Sequence, residues 1–203
     1  MNKIVYIFLA VTLSGCSSLP FLSSSVAPNT AYKIEQATIQ SPNEDDWVLM
    51  ENKIHSLVLA KKFADKSQTA IASAMMYPAG THKTSRAFLK FIVDQRTKQD
   101  DKNRFKIISV KNDYVTFKDL PCLKYQTLSE DHKDKGVASP EFEYFKTNGY
   151  ICRYPLEYIA FQFEISHRSQ EKQIPAELLR VGQEFFERIQ LVELTIKRLK
   201  TIP

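Results

Sequence analysis

Apolar and polar positions alternate along most of the chain from Trp47 onward, and short polar turns interrupt the alternation. Such segments, rich in β-branched and aromatic residues, predict strands. The clearest period of two lies late in the chain, where Ile159, Phe161, Phe163 and Ile165 alternate with Ala160, Gln162 and Glu164. The predicted strands cover residues 47–51, 55–63, 69–77, 105–110, 114–120, 122–128, 147–154 and 157–166.

Polar segments separate these predicted strands. A turn is expected at Asn112-Asp113, and the charged segment 129–141 has the composition of a surface loop. The third strand places Ala70, Ala72 and Ala74 on one face. Side chains this small would let a helix approach the sheet closely.

Two amphipathic helices are predicted from apolar residues at helical spacing. The first is capped by Thr84 or Ser85 and runs through Lys98 with an aromatic inner face, and the second begins at Pro175. Many strands with only two helices favour an α+β fold, in which an antiparallel sheet of about six to eight strands is covered by both helices. Residues 46–203 are expected to form this single domain, which has an ordinary size.

The first residues have the organisation of an export signal. Lys3 is followed by an apolar stretch from Ile4 to Leu13 that contains no charge. A helix of this length rises about 15 Å, half the thickness of a hydrocarbon core, so it is too short for a permanent membrane span. Residues 1–15 are therefore predicted to be a cleaved signal peptide.

The residues Leu13-Ser14-Gly15-Cys16 resemble the lipobox of bacterial lipoproteins. The resemblance implies cleavage before Cys16 and attachment of diacylglycerol and palmitate to that cysteine. Two or more acyl chains give stable membrane attachment. Ser17 stands where an inner-membrane retention signal has Asp, which favours the outer membrane, facing the periplasm. Residues 16–45, rich in Ser and Pro, are predicted to tether the domain to this anchor.

Two cysteines, Cys122 and Cys152, lie in the predicted domain. In an oxidising envelope compartment an even pair favours a disulfide. Closing a loop of this length would stabilise the fold by about 3 to 4 kcal/mol. The alternatives are a reactive thiol, activated by His132 or His167, and a metal ligand.

Composition argues against several classes of function. The formal net charge is +5 and the basic residues are scattered among acidic ones, which is not the pattern of a nucleic-acid-binding protein. The chain has five glycines and no phosphate-binding loop or nucleophile elbow. His55, His82, His132 and His167 lack the spacing of a zinc motif. No metal, cofactor or catalytic residue is therefore predicted.

Three polar or aromatic groups could nevertheless have a role. Glu130 to Asp134 surround His132 with carboxylates that could act as a base or bind a cation, although a solvated surface loop explains them better. His167 and Arg168 could bind an anion at a strand end. The third group, which could line a glycan or peptide groove or pack in the core, consists of Trp47, Tyr150, Tyr154 and Tyr158.

The domain resembles a group of proteobacterial lipoproteins that carries no assigned activity. The resemblance lies in segments 122–131 and 149–155 and in the paired Phe185-Phe186. The order of elements is also similar to the PsbP-like fold, an antiparallel sheet between helices. The favoured hypothesis is a non-enzymatic lipoprotein whose domain binds or scaffolds a protein, glycan or lipid of the envelope. The alternative is an envelope hydrolase or thiol enzyme that uses His132 or His167.

Overall fold

The computed structural model describes residues 24–99, 101–135, 137, 140–154 and 158–192. The predicted signal peptide, residues 1–15, and Cys16 lie outside these residues. The described helices are α1 (Ser85–Gln99), α2 (Ala176–Glu187) and a short 3-10 helix (Lys133–Lys135). The strands are β1 (Ala31–Ile34), β2 (Ala37–Gln40), β3 (Trp47–Lys53), β4 (Ser56–Lys61), β5 (Thr69–Pro78), β6 (Phe105–Phe117), β7 (Leu120–Asp131), β8 (Glu143–Arg153), β9 (Ile159–Ser169) and β10 (Gln190–Leu191).

Seven of these strands form one antiparallel sheet in the order β3-β4-β5-β9-β8-β7-β6. Consecutive strands pair as hairpins, except that β9 inserts between β5 and β8. The predicted α+β class with an antiparallel sheet and two helices is confirmed in outline. The fold is mainly β, however, and the helices cover less of the sheet than the sequence suggests.

The two faces of this sheet bury separate apolar clusters. We call them the α1 face and the α2 face after the helix that packs on each. On the α1 face, Phe88, Leu89 and Ile92 of the helix meet Leu123 and Ile151 of the sheet. The cluster on the α2 face is larger, with helix residues that include Leu178, Val181 and Phe185 and sheet residues that include Leu57, Leu59, Phe161, Phe163 and Ile165.

Close packing of α2 depends on Gly182. A Cβ at this position would lie 2.9 Å from Cγ2 of Ile165, so a larger residue would push the helix away from β9. The buried alanines Ala70, Ala72 and Ala74 belong to the α2-face cluster. The helix that follows them in sequence, α1, packs on the opposite face.

The helix starts agree with the predicted caps. The backbone N–H of Ala87 donates to Oγ1 of Thr84 at 3.1 Å, which makes Thr84 the N-cap of α1. Pro175 occupies the N-cap position of α2, one residue before the predicted first turn. None of the helices in the described part of the chain is both long and apolar enough to cross a bilayer.

A second, three-stranded sheet of β1, β2 and β10 was not predicted. Ile34, Ala37 and Ile39 of this sheet are buried in the α2-face cluster together with Val26. Residues from Val26 onward are therefore packed structure, which corrects the prediction of a tether extending to residue 45. The Ser- and Pro-rich composition concealed two strands of only four residues each.

The hairpin of β6 and β7 corrects a second prediction. Asn112 and Asp113 lie inside the continuous strand β6, opposite Tyr125 and Lys124. The turn is at Lys118-Asp119, where both residues have positive φ, 50° and 61°. Two such residues form the type I′ turn whose twist matches a two-residue hairpin. The predicted loop 129–141 is also shorter, because β7 continues to Asp131.

Candidate functional site

Cys122 and Cys152 form a disulfide, as the sequence predicts. They lie directly opposite each other on the adjacent strands β7 and β8, with Cα atoms 4.0 Å apart, and both are fully buried. The alternatives of a reactive thiol or a metal ligand at these positions are therefore wrong.

The acidic segment around His132 is tied to basic side chains. Asp131 is fully buried and accepts two hydrogen bonds from Arg104, at 2.8 and 3.0 Å, and it lies 2.7 Å from Arg168. Burial raises the pKa of Asp131, but the hydrogen bonds from Arg104 and the Lys133 backbone and the charge of Arg168 outweigh it and lower the pKa overall. Arginines already neutralise this carboxylate, which leaves it unsuited to bind a cation or act as a base.

His132 is buried beside this ion pair. Its Nε2 lies 3.3 Å from Oε2 of Glu130, and its ring packs 5.4 Å from the ring of Phe142. Glu130 also pairs with Lys106 at 3.1 Å. No hydroxyl or thiol is hydrogen-bonded to His132 among the described residues. The side chain of Asp134 lies outside the described residues.

His167 is buried on the α2 face and is also without a nucleophile. Neither ring nitrogen has a hydrogen-bond partner in the described part of the chain. Its neighbour across the strand pair is Lys146, whose Nζ donates to Oγ of Ser169 and to the carbonyl of Gln173, both at 3.1 Å. Arg168 points to the opposite face, where it pairs with Asp131. The structure therefore does not bring His167 and Arg168 together as an anion site.

The burial of His167 predicts a pH-dependent stability. Burial and the nearby charge of Lys146 lower the pKa of His167 to about 4. The unfolded chain, with a pKa near 6.5, takes up the proton first, so stability is complete above about pH 6.5 and is lost as pH falls toward 4. Between pH 7 and pH 4.5 we expect the free energy of unfolding to fall by about 2.5 kcal/mol more than in His167→Leu.

Urea unfolding of both proteins at the two pH values measures this difference. Carboxylates titrate in the native protein and in the variant alike, so the comparison isolates the imidazole. An equal loss of stability in the two proteins would show that His167 is accessible to protons in the folded state.

The four predicted aromatic groove residues do not meet in one groove. Trp47 and Tyr154 are buried in the α2-face cluster, whereas Tyr158 is exposed. Tyr150 stacks on Phe117 with ring centres 4.3 Å apart and lines a depression of about 460 Å³ beside α2. Core packing therefore accounts for Trp47 and Tyr154.

Another concave site lies between α1 and the sheet, where α1 leaves part of β5 and β9 uncovered. This cleft has a volume of about 370 Å³. Its polar lining consists of Gln95 and Arg96 from the last turns of α1 and Gln162 from the middle of β9. Its apolar lining includes Met75, Tyr77, Pro78, Phe91, Ile92 and Ile151. Apolar walls with a few convergent polar groups are typical of small-molecule sites.

A buried polar network supports this cleft from below. The hydroxyl of Tyr125 donates to Oε2 of Glu164 at 2.6 Å and accepts a hydrogen bond from Nε2 of Gln162 at 3.2 Å. The guanidinium of Arg96 lies 3.6 Å from the centre of the Tyr125 ring and donates to Oγ1 of Thr127 at 3.3 Å. Stacking on an aromatic face holds a guanidinium in a defined orientation.

Burial raises the pKa values of three acidic groups in and beside this network. Burial raises the pKa of Glu164 above its ordinary value, against the hydrogen bond from Tyr125 and the charge of Arg96. Burial also raises the pKa of Tyr77 to about 12 and that of Tyr125 well above its usual range. Of these three groups, Tyr77 lines the cleft, whereas Tyr125 and Glu164 belong to the network beneath it.

Gly149 makes the network possible. It lies opposite Tyr125 in β8, and a Cβ there would be 2.2 Å from the carbonyl oxygen of Phe163 and 2.7 Å from the Tyr125 hydroxyl. The absence of a side chain lets the tyrosine lie flat on the central strands. Gly149, a glycine within a predicted strand, was the one sequence signal for this site, because glycine in a strand marks a place where another group approaches the backbone closely. The convergence of Arg96 and Gln162 had no local signal.

No three His, Cys, Asp or Glu side chains are grouped as metal ligands in the residues that the structure describes. The sequence matches no family model, and no curated protein is significantly similar to it.

Among solved structures, the chain is similar to LpqN, which is described as involved in cell envelope biogenesis of Mycobacterium tuberculosis. The identity is 12%, the TM-score is 0.49, and the match covers 84% of this chain and 90% of LpqN. It is also similar to the Ran-binding protein Mog1p of Saccharomyces cerevisiae, with 11% identity, a TM-score of 0.49, and coverage of 84% and 99%. A point mutant of Mog1 matches with 10% identity and the same TM-score, over 82% of this chain and 98% of that one. Likenesses at this level identify neither a family nor a function.

Proposed function

We propose that the protein is a lipid-anchored binding protein of the bacterial envelope and that the cleft beside α1 takes up a small amphipathic ligand with an anionic group. The observation that carries this proposal is the placement of Arg96. Its guanidinium lies at the cleft between apolar walls. Among the described residues no carboxylate is in ion-pair contact with it, and the nearby charge interaction is with Glu164. Gln95 and Gln162 offer further hydrogen bonds beside it.

The envelope part of the proposal rests on different features. The sequence at Cys16 resembles a lipobox, and Ser17 does not match the retention signal of the inner membrane. The buried disulfide of Cys122 and Cys152 is typical of oxidising compartments such as the periplasm. Together they support an acylated protein in the outer membrane that faces the periplasm.

Naphthalene sulfonate is a suitable probe of the cleft, because it combines an apolar bicycle with one anionic group. We expect the native chain to bind it and Arg96→Gln to bind it roughly tenfold to a hundredfold more weakly, since a charge-assisted hydrogen bond contributes about 1.5 to 3 kcal/mol. Isothermal titration calorimetry of the detergent-solubilised full chain measures the affinity.

Lys98→Gln is the matched control for this experiment. It removes the same charge from the same helix at an exposed position that does not line the cleft. Equal weakening in both variants, or no binding to the native chain, would contradict the proposed site. Thermal melting of each variant shows whether the loss of the Arg96 stack on Tyr125 has disturbed the fold.

The anchor has its own test. We expect Cys16→Ser to abolish incorporation of labelled palmitate and to leave the chain as an uncut precursor, because the acyl acceptor is gone. Ser17→Asp should keep the label but move the protein from outer-membrane to inner-membrane fractions. Labelling that persists in Cys16→Ser would contradict acylation at this residue.

A further inference from the structure

The outer edge of β6 is open in the described part of the chain. This strand runs from Phe105 to Phe117 and pairs with β7 on one side only, and no other described residue pairs with it. The opposite edge of the sheet is different. There, residues 24–26 run along β3, with hydrogen bonds from the Val26 N–H to the carbonyl of Trp47 at 2.9 Å and from the Leu49 N–H to that of Ser24 at 3.0 Å.

The open edge also exposes apolar side chains. Val110 and Tyr114 are each 53% exposed, and Ile107 and Ile108 are 40% and 38% exposed. Val110 and Tyr114 pair with Thr127 and Leu123, which places both on the α1 face. A long edge strand with unpaired backbone groups and exposed apolar residues is a template for pairing with another strand.

The sequence of β6 is complementary to itself about Asn112. If two copies pair antiparallel with Asn112 opposite Asn112, Lys111 of each copy lies opposite Asp113 of the other. On the α1 face, Val110 of each copy lies opposite Tyr114 of the other. Opposite charges and aromatic with β-branched residues are favourable cross-strand pairs.

Other arrangements of the same two strands lose this complementarity. A shift that centres the pair on Lys111 or on Asp113 places like charges opposite each other. Parallel pairing in register places Lys111 opposite Lys111 and Asp113 opposite Asp113. The bulge between Ile107 and Ser109 limits regular pairing to Ser109 and the residues after it. The charges thus select one register and one direction.

We propose that β6 pairs with β6 of a second copy of this chain, antiparallel and centred on Asn112. The two-fold axis is perpendicular to the sheet, so the two seven-stranded sheets become continuous. Both α1 faces, and with them both clefts, lie on the same side of the joined sheet. The edge of β6 is separate from the cleft, so the proposed dimer does not depend on whether the cleft binds an anionic ligand.

Cross-linking in membranes tests the pairing with the full chain. Asn112→Cys places two thiols at the axis, where the Cα separation of directly opposite residues, about 4.5 to 5.5 Å, allows a disulfide. We expect a reducible dimer on mild oxidation. Lys66→Cys, in an exposed turn between β4 and β5, is the control for random collision and should give only background.

Charge reversal tests the register. Asp113→Lys, combined with Asn112→Cys, turns both cross-strand ion pairs into repulsive ones and should slow dimer formation roughly tenfold or more. Adding Lys111→Asp exchanges the two charges and should restore the native rate. Thermal melting confirms that each variant is folded.

Two results would overturn the proposal. One is unchanged cross-linking in Asp113→Lys or failure of the exchanged pair to restore it in a folded protein. The other is a cross-link from Asn112→Cys to a different envelope protein in place of a second copy, which would make β6 a docking strand for that partner.

Discussion

Gly149→Ala is expected to destabilise the protein by about 3 to 5 kcal/mol and to lower the melting temperature by roughly 10 °C. The added Cβ would lie 2.2 Å from the carbonyl oxygen of Phe163 in the neighbouring strand. A backbone atom in a central strand cannot move aside as a flexible side chain can. The Tyr125 hydroxyl, 2.7 Å away, would also be displaced from Glu164. Thermal and urea unfolding of the full chain measure the loss.

Gly80→Ala is the control for this substitution. Gly80 has a φ of 70°, which costs a larger residue about 1 kcal/mol, but a Cβ there would have its nearest contact at 4.0 Å. Gly149 has no positive φ, so a loss in Gly149→Ala that clearly exceeds the loss in Gly80→Ala reports the steric contact with the neighbouring strand. If both lose the same stability, Tyr125 does not lie on β8 as described.

Loss of the disulfide has the second large effect. Reduction, or the double substitution Cys122→Ala and Cys152→Ala, should cost about 3 to 4 kcal/mol, because the unfolded chain regains the freedom of a loop spanning a sequence separation of 30 residues. The bond joins β7 to β8 within the buried α2-face cluster. We expect the urea midpoint to fall on addition of dithiothreitol.

The double variant is the control for the reductant. Its urea midpoint should not change when dithiothreitol is added, since it has no disulfide between β7 and β8 to reduce. A native protein whose midpoint is indifferent to reductant would contradict a stabilising disulfide.

The cleft and the open edge occupy neighbouring parts of one face. α1 packs on β7 and β8, with the cleft on one side of it and the exposed row of β6 on the other. The α2 face, in contrast, is covered by α2 and the small sheet. Both proposed binding surfaces therefore lie on the α1 face.

Much of the main sheet could be predicted from local pattern. The alternation in β9 and the predicted helices were sufficient to indicate their positions, because period and capping are properties of neighbouring residues. The turn of the β6–β7 hairpin was misplaced, since Asn-Asp is a commoner turn pair than Lys-Asp. Pairing along the whole of β7 decided the position of the turn.

The functional hypotheses depended more on tertiary structure. The disulfide followed from cysteine count and compartment, but the histidines singled out from sequence turned out to be buried without nucleophiles. The cleft joins residues from β5, α1, β8 and β9, whose separation in sequence hides their relation. Gly149 was the only sequence signal for the cleft, because glycine is uncommon within a strand.

The sequence alone was sufficient for most strands of the main sheet, both helices and the cysteine pair, because each depends on residues near one another or on their number. The tertiary structure decided which faces the helices cover, which edge remains open and which side chains converge. Those features depend on the order of strands in the sheet. The insertion of β9 between β5 and β8 places Gln162 across from Arg96, and no local period encodes that pairing.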